Sequence, residues 1–271
     1  MFIGAFPKVR WLAWPPAYSP MPVLLDSGLP MSENVLPREC LEKLKRFDTC
    51  TLSNAIERLH VRPRNEGFVV GTIKCQFPKF PPVAGYAVTG RIRSSMPPVN
   101  GGWYYEHIEF WRYLVSVPPP RIVVLYDSDP WPGTGAMFGE VHARICRALD
   151  CVAYVTNGAI RDIPAIESLN FQLFAGSVSV SHAYAHVVEF GQPIELGGLR
   201  IATGDLLHGD VHGIHMIPRQ IVRELPAVAQ QVQAQERELF DVCDQKDFSV
   251  DMLEAKLEEQ RFRRDKIQKK L

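Results

Sequence analysis

The chain has 271 residues, enough to bury a sizeable core as one domain with appendages or as two small domains. Its 30 Lys and Arg residues balance 30 Asp and Glu, so bulk attraction to nucleic acid or another polyanion is not expected. The six cysteines, at 40, 50, 75, 146, 151 and 243, contain no Cys-x-x-Cys pair, which reads as reduced thiols rather than a disulfide frame or zinc knuckle.

The first 35 residues are apolar but broken by prolines. No run among them is long enough to span a bilayer, and no apolar segment is followed by a small-residue cleavage site. A poorly ordered tail and a cytoplasmic protein are expected. A mitochondrial presequence is the alternative, given Lys8, Arg10 and no acid before Asp26. Helical spacing begins at "LPRECLEKLKRF", with Leu36, Cys40, Leu44 and Phe47 on one face. Asp48 and Thr49 then cap a second helix, "TLSNAIERLH". Residues 61–82 are rich in Gly and Pro and read as loop. "VAGYAVTGRIRS" has strand character. The aromatic stretch 103–115 reads as a helix serving the core or a subunit interface, stopped by Pro118, Pro119 and Pro120.

"RIVVLYD" follows as a strand buried on both faces. A Pro/Gly loop leads into a helix whose expected apolar face is Met137, Val141, Ile145 and Leu149, and "CVAYVTN" is the next buried strand. This makes a parallel βαβ unit over 121–162. Its strands hand over to loops at Asp127–Gly135 and at Asn157–Asp162, where ligands of open α/β sheets sit. Short β-type runs broken by glycine fill 201–217. The last fifty or so residues read as charged helix with a break near "DQKDFSV".

The chemistry-bearing stretch is "GEVHARICRALDCVAYVTNGAIRD". It puts Glu140 at a helix start and Arg161–Asp162 at the next strand end. Two carboxylates and an arginine there suit a hard cation and an anion together. Mg²⁺ takes one or two carboxylates and keeps most of its waters, and the amides near Val141 and His142 can hold a substrate carboxylate. An ordinary helix-start Glu with a solvated Arg–Asp turn explains the same residues. His182 and His186 are four apart, and His208, His212 and His215 follow in "HGDVHGIH". A structural or supporting role is favoured over zinc, since the second stretch is glycine-broken β. His182 can face the substrate, because "FAGSV" ends another strand. Gly133–Gly135 lacks the spacing of a nucleotide fingerprint and reads as loop geometry. The basic end "RFRRDKIQKKL" is balanced by "LEAKLEEQ" and reads as a solvated helix face.

Five stretches occur in order: "FDTCTLSNAIERL", "GTGAMFGEVHARI", "VTNGAIRD", "FAGSVSVSHAYAH" and "TGDLLHGDVHGIHMIP". Together they resemble the RraA-like family over about residues 36–245. That family includes 4-hydroxy-4-methyl-2-oxoglutarate aldolases and the protein regulator of ribonuclease E. The resemblance implies an α/β class with a compact α/β/β/α fold like the swivelling phosphohistidine domain. The domains are then an N-terminal tail (1–35), a catalytic domain (36–219) and a C-terminal helical extension (220–271). It implies a divalent metal, Mg²⁺ or Mn²⁺, with Asp162 as direct ligand and Glu140 acting through water. Glu236 from a neighbouring subunit also acts through water, with Glu238 the competing assignment. It implies substrate contacts from Arg161 and from the helix-start backbone at Gly139, Val141 and His142, beside the His182 contact read from its strand end, and a homotrimer or hexamer.

Two positions depart from the family pattern. Ala165 stands where an acid often follows Arg–Asp, and Asn54 replaces the usual Asp of "SDAL". The activity implied is cleavage of 4-hydroxy-2-oxo acids to a pyruvate enolate, with oxaloacetate decarboxylation. The alternatives are a non-catalytic regulator that binds protein, or a specialised lyase or isomerase using the same enolate chemistry. Neither nucleic acid nor membrane is an expected partner.

Overall fold

The computed structural model describes residues 35–99 and 106–268, with side chains as far as Arg263. The expected N-terminal tail, up to residue 34, and residues 103–105 of the expected aromatic helix lie outside the described residues.

Two short helices open the fold, α1 (Arg38–Leu44) and α2 (Thr49–Arg58). Asp48 caps α2 as the sequence predicts, accepting the Thr51 N–H at 2.7 Å. The loop 61–82 is interrupted only by the short strand β1 (Lys74–Cys75). Next come β2 (Val83–Arg93), α3 (Ile108–Ser116), β3 (Arg121–Asp127), β4 (Ala136–Phe138), α4 (Glu140–Ala148) and β5 (Cys151–Ile160). They are followed by α5 (Ile163–Ser168), β6 (Gln172–Val178), β7 (His186–Phe190), β8 (Ile194–Leu196), β9 (Leu199–Ile201), β10 (Leu206–Asp210) and β11 (Gly213–Met216). The chain closes with α6 (Leu225–Cys243) and α7 (Val250–Gln268), parted near the predicted break.

Among the described residues, nine strands form one sheet whose main path runs β1-β6-β5-β3-β2-β10-β11, with β4 added to β5 and β7 to β2. β2, β3, β5 and β6 are mutually parallel, so their carboxyl ends share one edge of the molecule. Alternation along the strands divides the core. Val123, Leu125 and Tyr154 pack with the helices on one face. Ile122, Val124, Ala153 and Val155 pack on the other, beneath the β8–β9 hairpin. This is the mixed α/β architecture with a helical C-terminal part that the resemblance implies.

Two local expectations are corrected. Met137 belongs to β4, and α4 buries His142, Ala143 and Cys146 while Val141 is exposed. Helix α4 starts at Glu140 as expected, but Met137 stays in β4, and the stripe that faces inward is His142, Ala143 and Cys146. Moreover, the strand after α4 does not stop at Asn157. It runs on to Ile160, because β4 arrives alongside and pairs Ala136 with Ala159 and Phe138 with Ile160.

Candidate active site at the carboxyl ends of the parallel strands

The site is built where β5 changes neighbours. Its first half pairs with β3 and its second half with β4, while β6 follows it on the other side. Asn157 fills the ladder at the change. Its Oδ1 accepts the Asp127 N–H at 2.7 Å, and its Nδ2 donates to the Asp127 carbonyl at 2.9 Å. Gly158 has no room for a side chain, since a Cβ there would stand 2.8 Å from Asp127 Oδ2. Asp127 also accepts the Gly133 N–H at 2.8 Å, which ties the loop after β3 to the sheet. Desolvation pushes the Asp127 carboxyl above its ordinary value, opposed by that amide bond. The sequence places Asp127 and Asn157 at strand ends but does not reveal the bonds between them or the close approach of Gly158. The visible signal was an Asn–Gly pair inside an apolar strand run.

Arg161 ends the pairing, its N–H donating to the Phe138 carbonyl at 3.0 Å. Asp162 then adopts a left-handed backbone, φ 57° and ψ 36°, a region costly to most non-glycine residues and better tolerated by Asp. It stands at the start of α5 but does not cap it. Pro164, in that helix's first turn, has no N–H to offer. Instead Asp162 Oδ2 accepts the Glu140 N–H at 3.1 Å, so its side chain serves the start of α4. Its Oδ1 accepts from Arg161 Nε at 3.3 Å. The approach requires glycine at 139: a Cβ there would lie 2.6 Å from Asp162 Oδ2 and 3.0 Å from Arg161 Cγ.

The structure therefore brings Gly139, Glu140, Arg161 and Asp162 together. Arg161 and Asp162 are about one-third exposed, at 30% and 36%. Glu140 pairs with Arg144 one helical turn on, at 2.6 Å. Both ends of that pair face solvent, so the pair contributes little to stability. Val141 sits in the first turn with its side chain outward. The His142 side chain turns into the core, 2% exposed, with its ring 5.6 Å from Trp111 and 5.8 Å from Phe138. Only its backbone amide lies at the helix start, where first-turn N–H groups lack intrahelical acceptors.

His182 lies in the loop after β6. Its Nδ1–H donates to the Ala136 carbonyl at 2.6 Å, since a carbonyl can only accept. Burial holds its imidazole below the ordinary range, with the Ala136 bond acting the other way. The same loop is clamped by the Ala136 N–H on the Ser181 carbonyl at 2.8 Å and by Gly135, where a Cβ would meet the His182 carbonyl at 2.3 Å. His186 belongs to β7 rather than to a helical face shared with His182. His208 and His215 face each other across the β10–β11 hairpin, ring nitrogens 3.3 Å apart.

Glu236 and Glu238 part company on α6. Glu238 is held by Lys256 at 2.7 Å and Arg263 at 3.0 Å, both from α7. Glu236 accepts from Asn54 Nδ2 on α2 at 3.2 Å, so within one chain it is bonded there. Asn54 is thus the donor to a carboxylate, where an aspartate would place two negative charges together.

The donor set suits a hard divalent ion. Each Asp162 oxygen has one protein partner and keeps acceptor capacity. Gly139 leaves the space beside Oδ2 open, and the exposed carboxylates leave room for retained waters. Among the described residues no group of three or more His, Cys, Asp or Glu forms a metal cage. No helix among them is long and apolar enough to cross a membrane.

The acid–arginine group stands at the parallel carboxyl ends of an α/β sheet, the edge at which ligands of open α/β sheets sit. The chain belongs to the RraA-like family, whose model, described as Aldolase/RraA, matches residues 49–216. It is 32% identical over 115 residues to a Halalkalibacterium halodurans protein provisionally named 4-hydroxy-4-methyl-2-oxoglutarate aldolase. That match covers 42% of this chain and spans about half, 54%, of the relative's length. Among solved structures, a protein described among novel cellulases from gut-associated microbes superposes with TM-score 0.63 and 20% identity, covering 79% of this chain and 91% of that one. Streptomyces coelicolor RraAS2, described as an unusual member of the RNase ES inhibitor RraA family, gives 0.57 and 21%, covering 76% and 96%. Both likenesses concern the fold.

Proposed function

We propose that this chain is a divalent-metal-dependent carbon–carbon lyase that cleaves 4-hydroxy-2-oxo acids and decarboxylates oxaloacetate. The observation that carries the reading is the direction of Asp162, which leaves its own helix uncapped and turns to the start of α4 beside Arg161. The name of the H. halodurans relative supports the same class.

Asp162 is the direct ligand for Mg²⁺ or Mn²⁺ in this reading, with Glu140 acting through water. When bound, the ion supplies a Lewis acid for the substrate's keto oxygen. Arg161 grips the carboxylate of the 2-oxo acid with a planar pair of donors, and the first-turn amides of α4 add dipolar support. The C4 hydroxyl proton leaves to a base, with the Glu140 carboxylate at hand. The C3–C4 bond then breaks, its electron pair stays on C3 as a pyruvate enolate, and C4 becomes a carbonyl. Arg161 offsets the developing charge, where a fixed cation contributes most. Loss of CO₂ from oxaloacetate gives the same enolate. The assembly proposed is a homotrimer or hexamer in which Glu236 of one copy serves the next copy's site.

The test is pyruvate release from oxaloacetate with added Mg²⁺, corrected for the metal-only rate. Turnover above that background, abolished by EDTA and restored by Mg²⁺ or Mn²⁺, is expected. A rate no different from metal alone, together with capture of a protein partner unaffected by Glu140→Gln, would favour a regulator.

A further inference from the structure

The loop that follows β6 is held at several points. The Ser179 N–H donates to the Ile160 carbonyl at 3.0 Å, the Ala136 N–H to the Ser181 carbonyl at 2.8 Å, the Tyr184 N–H to the Ser94 carbonyl at 3.0 Å and the Ala185 N–H to the His182 carbonyl at 2.9 Å. Gly135 is pressed against the His182 carbonyl as well. Ala183 takes a left-handed backbone, φ 45°, a conformation costly to alanine that persists only where its surroundings impose it. What the loop fixes is the His182 imidazole. Its Nδ1 bonds to the Ala136 carbonyl at 2.6 Å. Two residues further along β4, the Phe138 carbonyl accepts the Arg161 N–H at 3.0 Å. Two residues of strand span about 7 Å, which puts the imidazole within a side chain's reach of the Arg161–Asp162 pair. Both of those charges act on its proton affinity, Arg161 lowering it and Asp162 raising it.

The Ala136 carbonyl settles the tautomer. A carbonyl only accepts, so Nδ1 carries the hydrogen and Nε2 carries the lone pair of the neutral ring. Burial holds the imidazole below its ordinary value, with the Ala136 bond opposing it, and the ring is therefore neutral, and basic at Nε2, at neutral pH. The other acceptors near the pair are less suited. Burial drives His142 down to about 3, and its ring packs in the core. Glu140 Oε1 takes both Arg144 Nε at 2.8 Å and Arg144 Nη2 at 2.6 Å, which draws that carboxylate one turn along α4. A base that takes a proton and gives it back within one turnover works best with a proton affinity near the working pH, which an imidazole supplies.

We propose that His182 is the general base of the cleavage, its Nε2 taking the C4 hydroxyl proton of the 4-hydroxy-2-oxo acid. This rests on the lyase reading above. As Nε2 takes the proton, the C3–C4 bond breaks, C4 becomes a carbonyl and the electron pair stays on C3 as the enolate. The imidazolium then returns the proton to C3, which gives pyruvate and restores the neutral ring. No oxidant or further reactant is needed. Oxaloacetate has no such proton to lose: its C3–C4 bond breaks with CO₂ as the leaving carbon, and the electron pair again stays on C3. The two reactions share Arg161 and the enolate, and they differ in their need for a base at C4.

The experiment measures both reactions with the full-length protein and Mg²⁺, corrected for the metal-only rate. Cleavage of 4-hydroxy-4-methyl-2-oxoglutarate is read as pyruvate formed, and decarboxylation of oxaloacetate as CO₂ released. His182→Asn offers an amide N–H to the Ala136 carbonyl and nothing in place of Nε2. It is expected to lower kcat/KM for the aldol cleavage about 100-fold or more, the usual scale of general-base catalysis, and to leave the decarboxylation within about threefold of wild type. The unaltered protein gives a second readout, the ratio of the two kcat/KM values from pH 8 to pH 4.5. That ratio is expected to hold above about 6.5 and to fall, by up to about tenfold per pH unit, as His182, faced by Arg161, Asp162 and His142, takes a proton. Loss of metal at low pH is common to both reactions and cancels. A ratio flat down to pH 4.5, or a His182→Asn loss shared equally by the two reactions, would make His182 a supporting residue and overturn the inference. Oxaloacetate turnover without any aldol cleavage would overturn it too and leave a decarboxylase standing. Absence of both reactions in the wild type would sink the lyase reading with it.

Discussion

Asp162 and Asp210 both stand at the end of a β-strand, and they differ in what their oxygens do. Asp210 is 4% exposed and takes four donors, three of them on Oδ1. It accepts the Thr49 N–H at 2.8 Å, the Thr49 hydroxyl at 2.6 Å, the His212 N–H at 2.8 Å and His212 Nδ1 at 3.1 Å. Asp162 has two partners, at 3.1 Å and 3.3 Å, and a left-handed backbone. The first aspartate joins the α2 start to the β10–β11 hairpin. The second spends backbone strain to keep acceptor capacity at an open edge. A buried carboxylate holding four donors is a structural part, whereas a strained one with two long bonds at an open edge is a candidate ligand.

The contrast is broken most directly at Asp162. Asp162→Asn is expected to reduce metal-dependent pyruvate release by about 1000-fold, or ~4 kcal/mol of transition-state stabilisation. Its urea midpoint should stay near that of the wild type. A destabilised Asp162→Asn protein with normal turnover per folded molecule would make Asp162 the structural aspartate of the pair. Asp210→Ala should do the reverse, costing about 3 kcal/mol of stability, because it strands the Thr49 and His212 donors. Its kcat per folded molecule should be unchanged, as measured by active-site titration beside chemical denaturation.

The hairpin also carries a pH signature. Burial holds His208 at about 4 and His215 well below its ordinary range, with Asp210 opposing the first shift and Arg62 adding to the second. The folded state thus binds fewer protons than the unfolded chain once pH falls below the unfolded value of about 6.5. The stability these histidines allow is complete above about 6.5 and is lost as pH falls from there toward about 4. The expected slope is at most about 1.4 kcal/mol per pH unit per histidine. Urea midpoints at pH 7, 6 and 5 check it, and a flat series would mean that the pair accepts a proton without cost. Asp210 titrates lower: desolvation opposes its donors, the donors prevail, and its contribution fades only below the ordinary carboxylate range.

The smallest effect is expected at Glu140. Glu140→Gln keeps size and hydrogen bonding and removes the charge, so about a tenfold loss of pyruvate release is expected, ~1.4 kcal/mol. Steady-state kinetics over a range of Mg²⁺ sharpen the result. A loss recovered by more Mg²⁺ assigns Glu140 to metal retention, and a loss that persists assigns it to the chemical step.

Several features are legible in the order of residues. The apolar runs at 121–127 and 151–155 force buried strands, the polar Asp48 forces a cap, and "DQKDFSV" forces a break between two helices. Each is a local preference that no distant contact reverses. Arg161–Asp162 could be placed at a strand end for the same reason. Other features had no local cause. α4 turns His142 rather than Val141 inward because β4 precedes it, and β4 exists only as a partner for the far half of β5. Asn157 bonds to Asp127 across thirty positions of sequence. Asp162 points to the start of α4 because Gly139, brought up by that same pairing, leaves room for it. Periodicity reports which face of an element is apolar. Which neighbour arrives to cover it, and which carboxylate is left unsatisfied, depends on contacts far apart in the chain, and those form only when the sheet closes.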